Sequence, residues 1–154
     1  MIVFLTGMSG AGKSTVLAHL AARGYRVVDT DVGGWIEEVD GEPLWREDRI
    51  DALLTERPGE PLFVAGTVRN QGRFYPRFAE VVLLTAPLAV LLDRVATRDT
   101  NTFGRSAAER ARIVADTAEV EPLLRASATV VLDTRLPVTE VVDRLAALAG
   151  PPPR

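Results

Sequence analysis

No cysteine occurs among the 154 residues, which excludes a disulfide framework, a thiolate metal site and thiol chemistry. Histidine is nearly absent too. The single one, His19, sits in a helical pattern with no partner for a triad or a ligand set, so it reads as an ordinary core or surface residue. Serine-hydrolase and zinc chemistry therefore fit poorly. Long hydrophobic runs are missing. The N-terminal Met-Ile-Val-Phe-Leu-Thr-Gly is too short for a membrane span and lacks a basic leader or a cleavage site, which points to a cytoplasmic protein. Excess positive charge is lacking as well: a net charge of −3 and a pI near 5.2 give polyanions nothing general to attract. Nucleic-acid and membrane-surface partners are not expected.

What is present suits one globular domain. The chain is 47% hydrophobic and 25% charged, with no internal repeat or linker. Residues 1–150 form the expected domain, and the Pro-Pro-Pro-Arg end, 151–154, is expected to be disordered. Short apolar runs at Ile2–Leu5, Arg26–Asp29, Leu62–Ala65, Val81–Leu84 and Thr129–Leu132 read as strands. Helical patterns separate them. One runs from Lys13 to Ala22, with Val16, Leu17 and Leu20 on one side. Another carries Leu88, Leu91, Leu92 and Val95 at i, i+3, i+4, i+7. Ser106 with Glu109 forms a capping box opening a helix towards Arg125. A last stripe, Val138 to Leu148, follows Pro137 and stops at Gly150. The polar stretch from Asp31 to about Glu60 predicts one or two helices. Strands alternating with helices give an α/β fold: three layers around a five-stranded parallel sheet. The apolar stripes are used up in covering that sheet, so a monomer is expected.

Such sheets bind ligands at the carboxyl ends of their strands. Just there, Gly7-Met8-Ser9-Gly10-Ala11-Gly12-Lys13-Ser14 satisfies G-x-x-x-x-G-K-[ST], between a predicted strand and a predicted helix. Gly10, Ala11 and Gly12 lie where backbone N–H groups must turn inward around a polyphosphate and a Cβ would clash. The helix dipole adds to the same field. Lys13 brings a cation to the outer phosphates, the Ser14 hydroxyl is a Mg²⁺ ligand, and Thr15 is placed for the α-phosphate. ATP and Mg²⁺ are thus the expected cofactors.

Phosphoryl transfer also needs an acid near the metal and a group for the acceptor hydroxyl. Asp29 and Asp31 follow the second strand and point the same way if that strand continues. The rival reading of Asp31 is a helix cap. Arg46 and Arg49 lie where an acceptor segment, about residues 32–60, would sit; each reads equally well as part of a solvated charged face. Gly66 and Arg69, after the third strand, offer close approach and charge for an acceptor, with a plain surface turn as the alternative. Arg94 and Arg98 share a helix face before a short lid, about 99–105, and an arginine there can neutralise transition-state charge.

At Gly7–Thr15, Val28–Asp31, Trp45-Arg46-Glu47 and the Arg94/Arg98 pair, the chain resembles the nucleoside-monophosphate kinase-like P-loop proteins, and shikimate kinases most closely. The resemblance implies a P-loop NTPase fold of the shikimate kinase/adenylate kinase type, and transfer of the ATP γ-phosphate to a small-molecule acceptor. It implies Asp29 holding Mg²⁺ through water, Asp31 at the acceptor hydroxyl, Arg46 on the acceptor, Arg94 near adenine and Arg98 on the phosphates. The turn Asp133-Thr134-Arg135-Leu136-Pro137 matches the loop beside adenine. Two positions depart from the pattern. The family's glycine triplet is Gly66-Thr67-Val68 here, and its acceptor-carboxylate arginine aligns with Glu119, which would repel a carboxylate. The alternatives are a P-loop ATPase or switch acting on a protein partner, and a nucleotide-binding module without turnover. The first lacks the Asp-Glu pair a water-activating ATPase often carries; the intact Lys13, Ser14, Asp29 and Asp31 speak against the second.

Overall fold

In a computed structural model, which describes residues 1–97 and 106–153, the chain runs β1 (Ile2–Thr6), α1 (Lys13–Ala22), β2 (Arg26–Asp29), β3 (Ile36–Val39), β4 (Glu42–Trp45), α2 (Glu47–Thr55), β5 (Leu62–Ala65), a 3₁₀ helix (Arg69–Arg77), β6 (Glu80–Thr85), α3 (Leu88–Thr97), α4 (Ala107–Ser127), β7 (Val130–Asp133) and α5 (Val138–Ala149). Five strands form one parallel sheet in the order β2-β5-β1-β6-β7.

Period-2 alternation explains why the sheet must be covered twice. Val3 and Leu5 point with Phe63 and Val82 into one core, packed on Val16, Leu17 and Leu20 of α1 and Val141, Val142 and Leu145 of α5. Phe4, paired with Val64 and Val81, points into the other core with Trp45, Ile50, Leu53 and Phe74. There Phe4 stacks on Phe78 at 4.9 Å and meets Trp45 edge-on at 5.4 Å. The helices closing the first core carry the stripes legible in the sequence, whereas the second is closed by Ile50, Leu53 and Leu54 of α2 and by Phe74 of the 3₁₀ helix, which no such stripe announced. The Ser106–Glu109 box is formed: Ser106 Oγ accepts from the Glu109 N–H at 3.1 Å.

One region differs from the sequence reading. Residues 36–45 form a two-stranded antiparallel hairpin, and only 47–55 is helical. The turn explains it. Asp40 and Gly41 take φ of 54° and 79°, the left-handed pair that a tight hairpin needs. The Asp-Gly dipeptide was the available signal, hidden because Glu37, Glu38 and Glu42 blur the apolar alternation. At the other end, Tyr25 Oη donates to the Gly150 carbonyl at 2.5 Å and Pro152 is half-buried. No helix among the described residues is long and apolar enough to cross a membrane.

Candidate active site

Every parallel strand ends on the same rim, and the first connection there is the glycine-rich loop. Gly10 has φ 84°, and a Cβ on it would lie 2.7 Å from the Leu91 carbonyl oxygen, so the backbone turn admits no side chain. Gly12, Lys13 and Ser14 carry the chain into α1. Lys13 is the only lysine in the sequence. Its Nζ donates back to the carbonyl of Gly7, and to that of Met8 at 3.3 Å, arching over the loop as a cation that a polyphosphate can recruit. The loop is a cradle lined by backbone, and its shape fits a nucleotide phosphate chain.

The two aspartates meet beside it, though not by strand alternation. β2 stops at Asp29, and the chain turns at once: Asp29 Oδ1 accepts from the Asp31 N–H at 3.0 Å, an Asx turn. Asp29 Oδ2 accepts from Ser14 Oγ at 3.2 Å. Among the described residues no cluster of three or more acids or histidines could hold a metal alone. Mg²⁺ needs no such cage, since it keeps waters and takes phosphate oxygens with one or two protein groups. The touching pair Ser14 and Asp29 fits that role.

Asp31 is open at its tip, yet the surrounding protein still strips water from its carboxyl. This dehydration, followed by repulsion from Asp29, raises its pKa above the ordinary 3.8, and Lys13 pulls the other way. A carboxyl poised upward beside a phosphate site is suited to taking a proton.

Lys13 and Asp31 open into a cleft of about 700 Å³. Its other walls are the β3–β4 hairpin, the 3₁₀ helix and α4. The hairpin is held by a buried chain of bonds: Trp45 Nε1 donates to Thr30 Oγ1 at 3.0 Å, and Thr30 Oγ1 donates to the Ala65 carbonyl at 2.7 Å. Asn70 clips its base, accepting from the Trp45 N–H and donating to the Trp45 carbonyl, both at 3.0 Å. Gly66 lies under this chain and not in the cleft, because the space where its Cβ would stand is filled by Thr30 Oγ1 and Trp45. Arg69 does line the cleft, already paired with Glu42 at 2.7 Å. Arg46 points elsewhere, to Glu37 at 3.4 Å, because it starts α2 beyond the hairpin. Arg49 covers the Trp35 ring at 4.5 Å.

Sequence reasoning did not single out the polar support under the loop. Thr67 Oγ1 donates to the Gly7 carbonyl at 2.7 Å and lies 3.2 Å from Thr6 Oγ1. Gln71, buried, donates to Thr6 Oγ1 at 3.2 Å and Tyr75 Oη at 2.8 Å, while its Oε1 accepts from the Val68 N–H. A threonine ending an otherwise apolar strand was the one clue to it.

On the opposite flank Arg94 joins two loops. Its Nη1 donates to the Gly10 carbonyl at 3.0 Å and to Thr134 Oγ1 at 2.8 Å, and Nη2 to the Thr134 carbonyl at 2.7 Å. Next to it Asp133 and Arg135 form a closed pair, with contacts of 2.6 to 3.1 Å. Arg135 holds the Asp133 carboxyl down to about 2, and Asp133 in turn raises the Arg135 guanidinium. Thr15 is exposed at the start of α1. Arg98 and the lid at 99–105 lie outside the described residues.

Residues 3–115 match a protein family described as an AAA domain. A shikimate kinase from Halorhodospira halophila is 32% identical over 148 residues, covering 86% of this chain and 83% of that protein. A nucleotide-binding protein of Gluconacetobacter diazotrophicus is 32% identical over 137 residues, and the alignment spans 86% of this chain but only 37% of that longer relative. Among solved structures, a shikimate kinase from Acinetobacter baumannii in complex with shikimate superposes with a TM-score of 0.66 over 96% of this chain and 91% of that one. At 24% identity this is a likeness of fold.

Proposed function

The chain belongs to the AAA-domain P-loop proteins, in their shikimate and nucleotide kinase-like group, and we propose that it moves the γ-phosphate of ATP to a hydroxyl of a small molecule held in the cleft beside Asp31. One observation carries this reading: the loop that would hold the phosphates and a carboxyl with raised pKa face the same cleft.

In this reading Gly10, Ala11, Gly12 and Lys13 hold the β- and γ-phosphates, and Thr15 the α-phosphate. Arg94, Asp133 and Arg135 flank the base. Ser14 and Asp29 hold Mg²⁺, which when bound neutralises charge building on the phosphate oxygens. Asp31 orients the acceptor hydroxyl. Its oxygen attacks the γ-phosphorus, the bond to the β–γ bridging oxygen breaks, ADP leaves with that electron pair, and the hydroxyl proton passes to the Asp31 carboxylate. Arg69 is the acceptor-side arginine that the cleft supports; Arg46 and Gly66 bear on the acceptor through the hairpin and the strand end that shape its wall. Thr67 keeps the Gly7 carbonyl in place when Lys13 turns to the phosphates. The site would then work within one copy of a cytoplasmic chain.

ADP release followed across alcohols, sugars and nucleoside monophosphates tests this. An acceptor should raise the rate by orders of magnitude, and Asp31→Asn should abolish that rise. Slow Lys13-dependent hydrolysis that no acceptor stimulates, but a protein fraction does, would favour the ATPase or switch reading instead.

A further inference from the structure

The cleft differs sharply in charge from the loop it adjoins. Among the described residues, four carboxylates face it, Asp31, Glu42, Asp116 and Glu119, and two cations, Lys13 and Arg69. Both cations already have partners. Lys13 sits on the loop carbonyls next to the phosphate cradle, and Arg69 is matched by Glu42 at 2.7 Å. Asp116 has only a loose neighbour, Arg112 at 3.7 Å on an exposed helix surface, a pair of little strength. Glu119 takes part in no ion pair among the described residues; those of α4 join Arg112 to Asp116 and Arg125 to Glu121.

Helix geometry places these groups together. Asp116 and Glu119 are three apart on α4, and Val120, Leu123 and Leu124 continue the same face at i+4, i+7 and i+8 from Asp116. The wall opposite the phosphate loop is therefore anionic at one end and apolar at the other. Leu123 is 66% exposed, unusual for a leucine on a described helix of this chain and understandable if something packs over it.

We propose that the acceptor carries a cationic group, an ammonium or guanidinium, which Glu119 holds with help from Asp116, while its apolar part lies over Leu123 and its hydroxyl reaches Asp31. This rests on the phosphotransfer reading and adds the acceptor's class to it. An acceptor with a carboxylate or phosphate would meet repulsion from the α4 wall before its hydroxyl reached Asp31. Glu119 thus determines specificity and takes no part in the chemistry.

Two matched triplets of alcohols test it with the full chain and Mg-ATP: glucosamine, glucose and glucuronate; and serinol, glycerol and glycerate. Within each triplet the amine should give the highest kcat/KM, at least about tenfold over the neutral alcohol, with the difference in KM. Glu119→Gln should remove that preference and Glu119→Arg should turn it towards the carboxylate. Glu119 is exposed, so both variants should keep the wild-type melting temperature. The shift of that temperature by each compound in Mg-ADP reads binding independently and should follow the same order. If carboxylates serve as well as amines, or the amine preference survives Glu119→Arg, the inference is overturned while the kinase reading stands. If no alcohol of any charge is phosphorylated or bound, the kinase reading falls and takes the inference with it.

Discussion

The phosphate loop and the cleft proposed to take the acceptor are built in different ways. The phosphate side is one stretch of chain, residues 7–15, made mostly of backbone and closed by the N-terminus of α1. The proposed acceptor cleft is assembled from four separate segments, around Asp31, Glu42, Arg69 and Glu119, and made mostly of side chains. Backbone recognition leaves little room for variation, because a Cβ at Gly10 has nowhere to go. A wall of side chains can change its charge one residue at a time without touching the loop. The comparison teaches where this molecule is sterically fixed and where it is free: a backbone loop that, in the proposed reading, serves as the donor half, joined to a side-chain cleft that serves as the acceptor half.

The largest effects should separate the halves. Asp31→Asn should lower acceptor-dependent turnover by about 10²–10⁴-fold while ATP affinity measured by calorimetry stays near wild type. Lys13→Ala should lower turnover by roughly 10²–10³-fold whichever acceptor is supplied. If Asp31→Asn weakened ATP binding as much as Lys13→Ala, the two halves would not be separable. As the only lysine, Lys13 also allows a direct check: amine-reactive labelling away from the N-terminus should vanish with Mg-ATP.

A smaller effect concerns pH. Because the folded state raises the Asp31 pKa above 3.8, the unfolded chain releases that proton first as pH rises. Stability should therefore fall between 3.8 and the raised value, and the penalty should persist at neutral pH. Asp31→Asn should then melt slightly higher than wild type at pH 7 and equally at pH 3. Asp133 has the opposite sign: its contribution is present above 3.8 and is lost as pH falls towards about 2.

Much of the phosphate loop's placement was legible in the sequence for a plain reason. Its residues are neighbours in the chain, and a strand, a glycine loop and a helix follow in order. The central strands β1, β5 and β6 were legible too, because a strand buried on both faces reads as an unbroken apolar run. The cleft proposed for the acceptor was less so. Its hairpin depends on a two-residue turn amid glutamates, and the Thr30–Trp45 and Trp45–Asn70 bonds join residues 15 and 25 positions apart, a distance no local pattern spans. Asp29 and Asp31 illustrate both cases: their shared rim followed from the strand end, but an Asx turn, and not alternation, brings them together.

Smaller still are the supports. Arg94→Ala removes the tie between the Gly10 and Thr134 loops and should weaken ATP binding about tenfold, near 1.4 kcal/mol, with acceptor KM unchanged. Trp45→Phe loses one buried bond to Thr30 and should cost about 1 kcal/mol in urea unfolding, raising acceptor KM and leaving ATP affinity alone.

The most direct test of a donor half serving an acceptor half is to follow the γ-phosphorus itself. With γ-³²P-labelled ATP and a stimulating alcohol, the label should appear in an organic phosphate ester, and Asp31→Asn should stop its appearance. Label found only as inorganic phosphate, at a rate indifferent to both the alcohol and Asp31, would contradict the account.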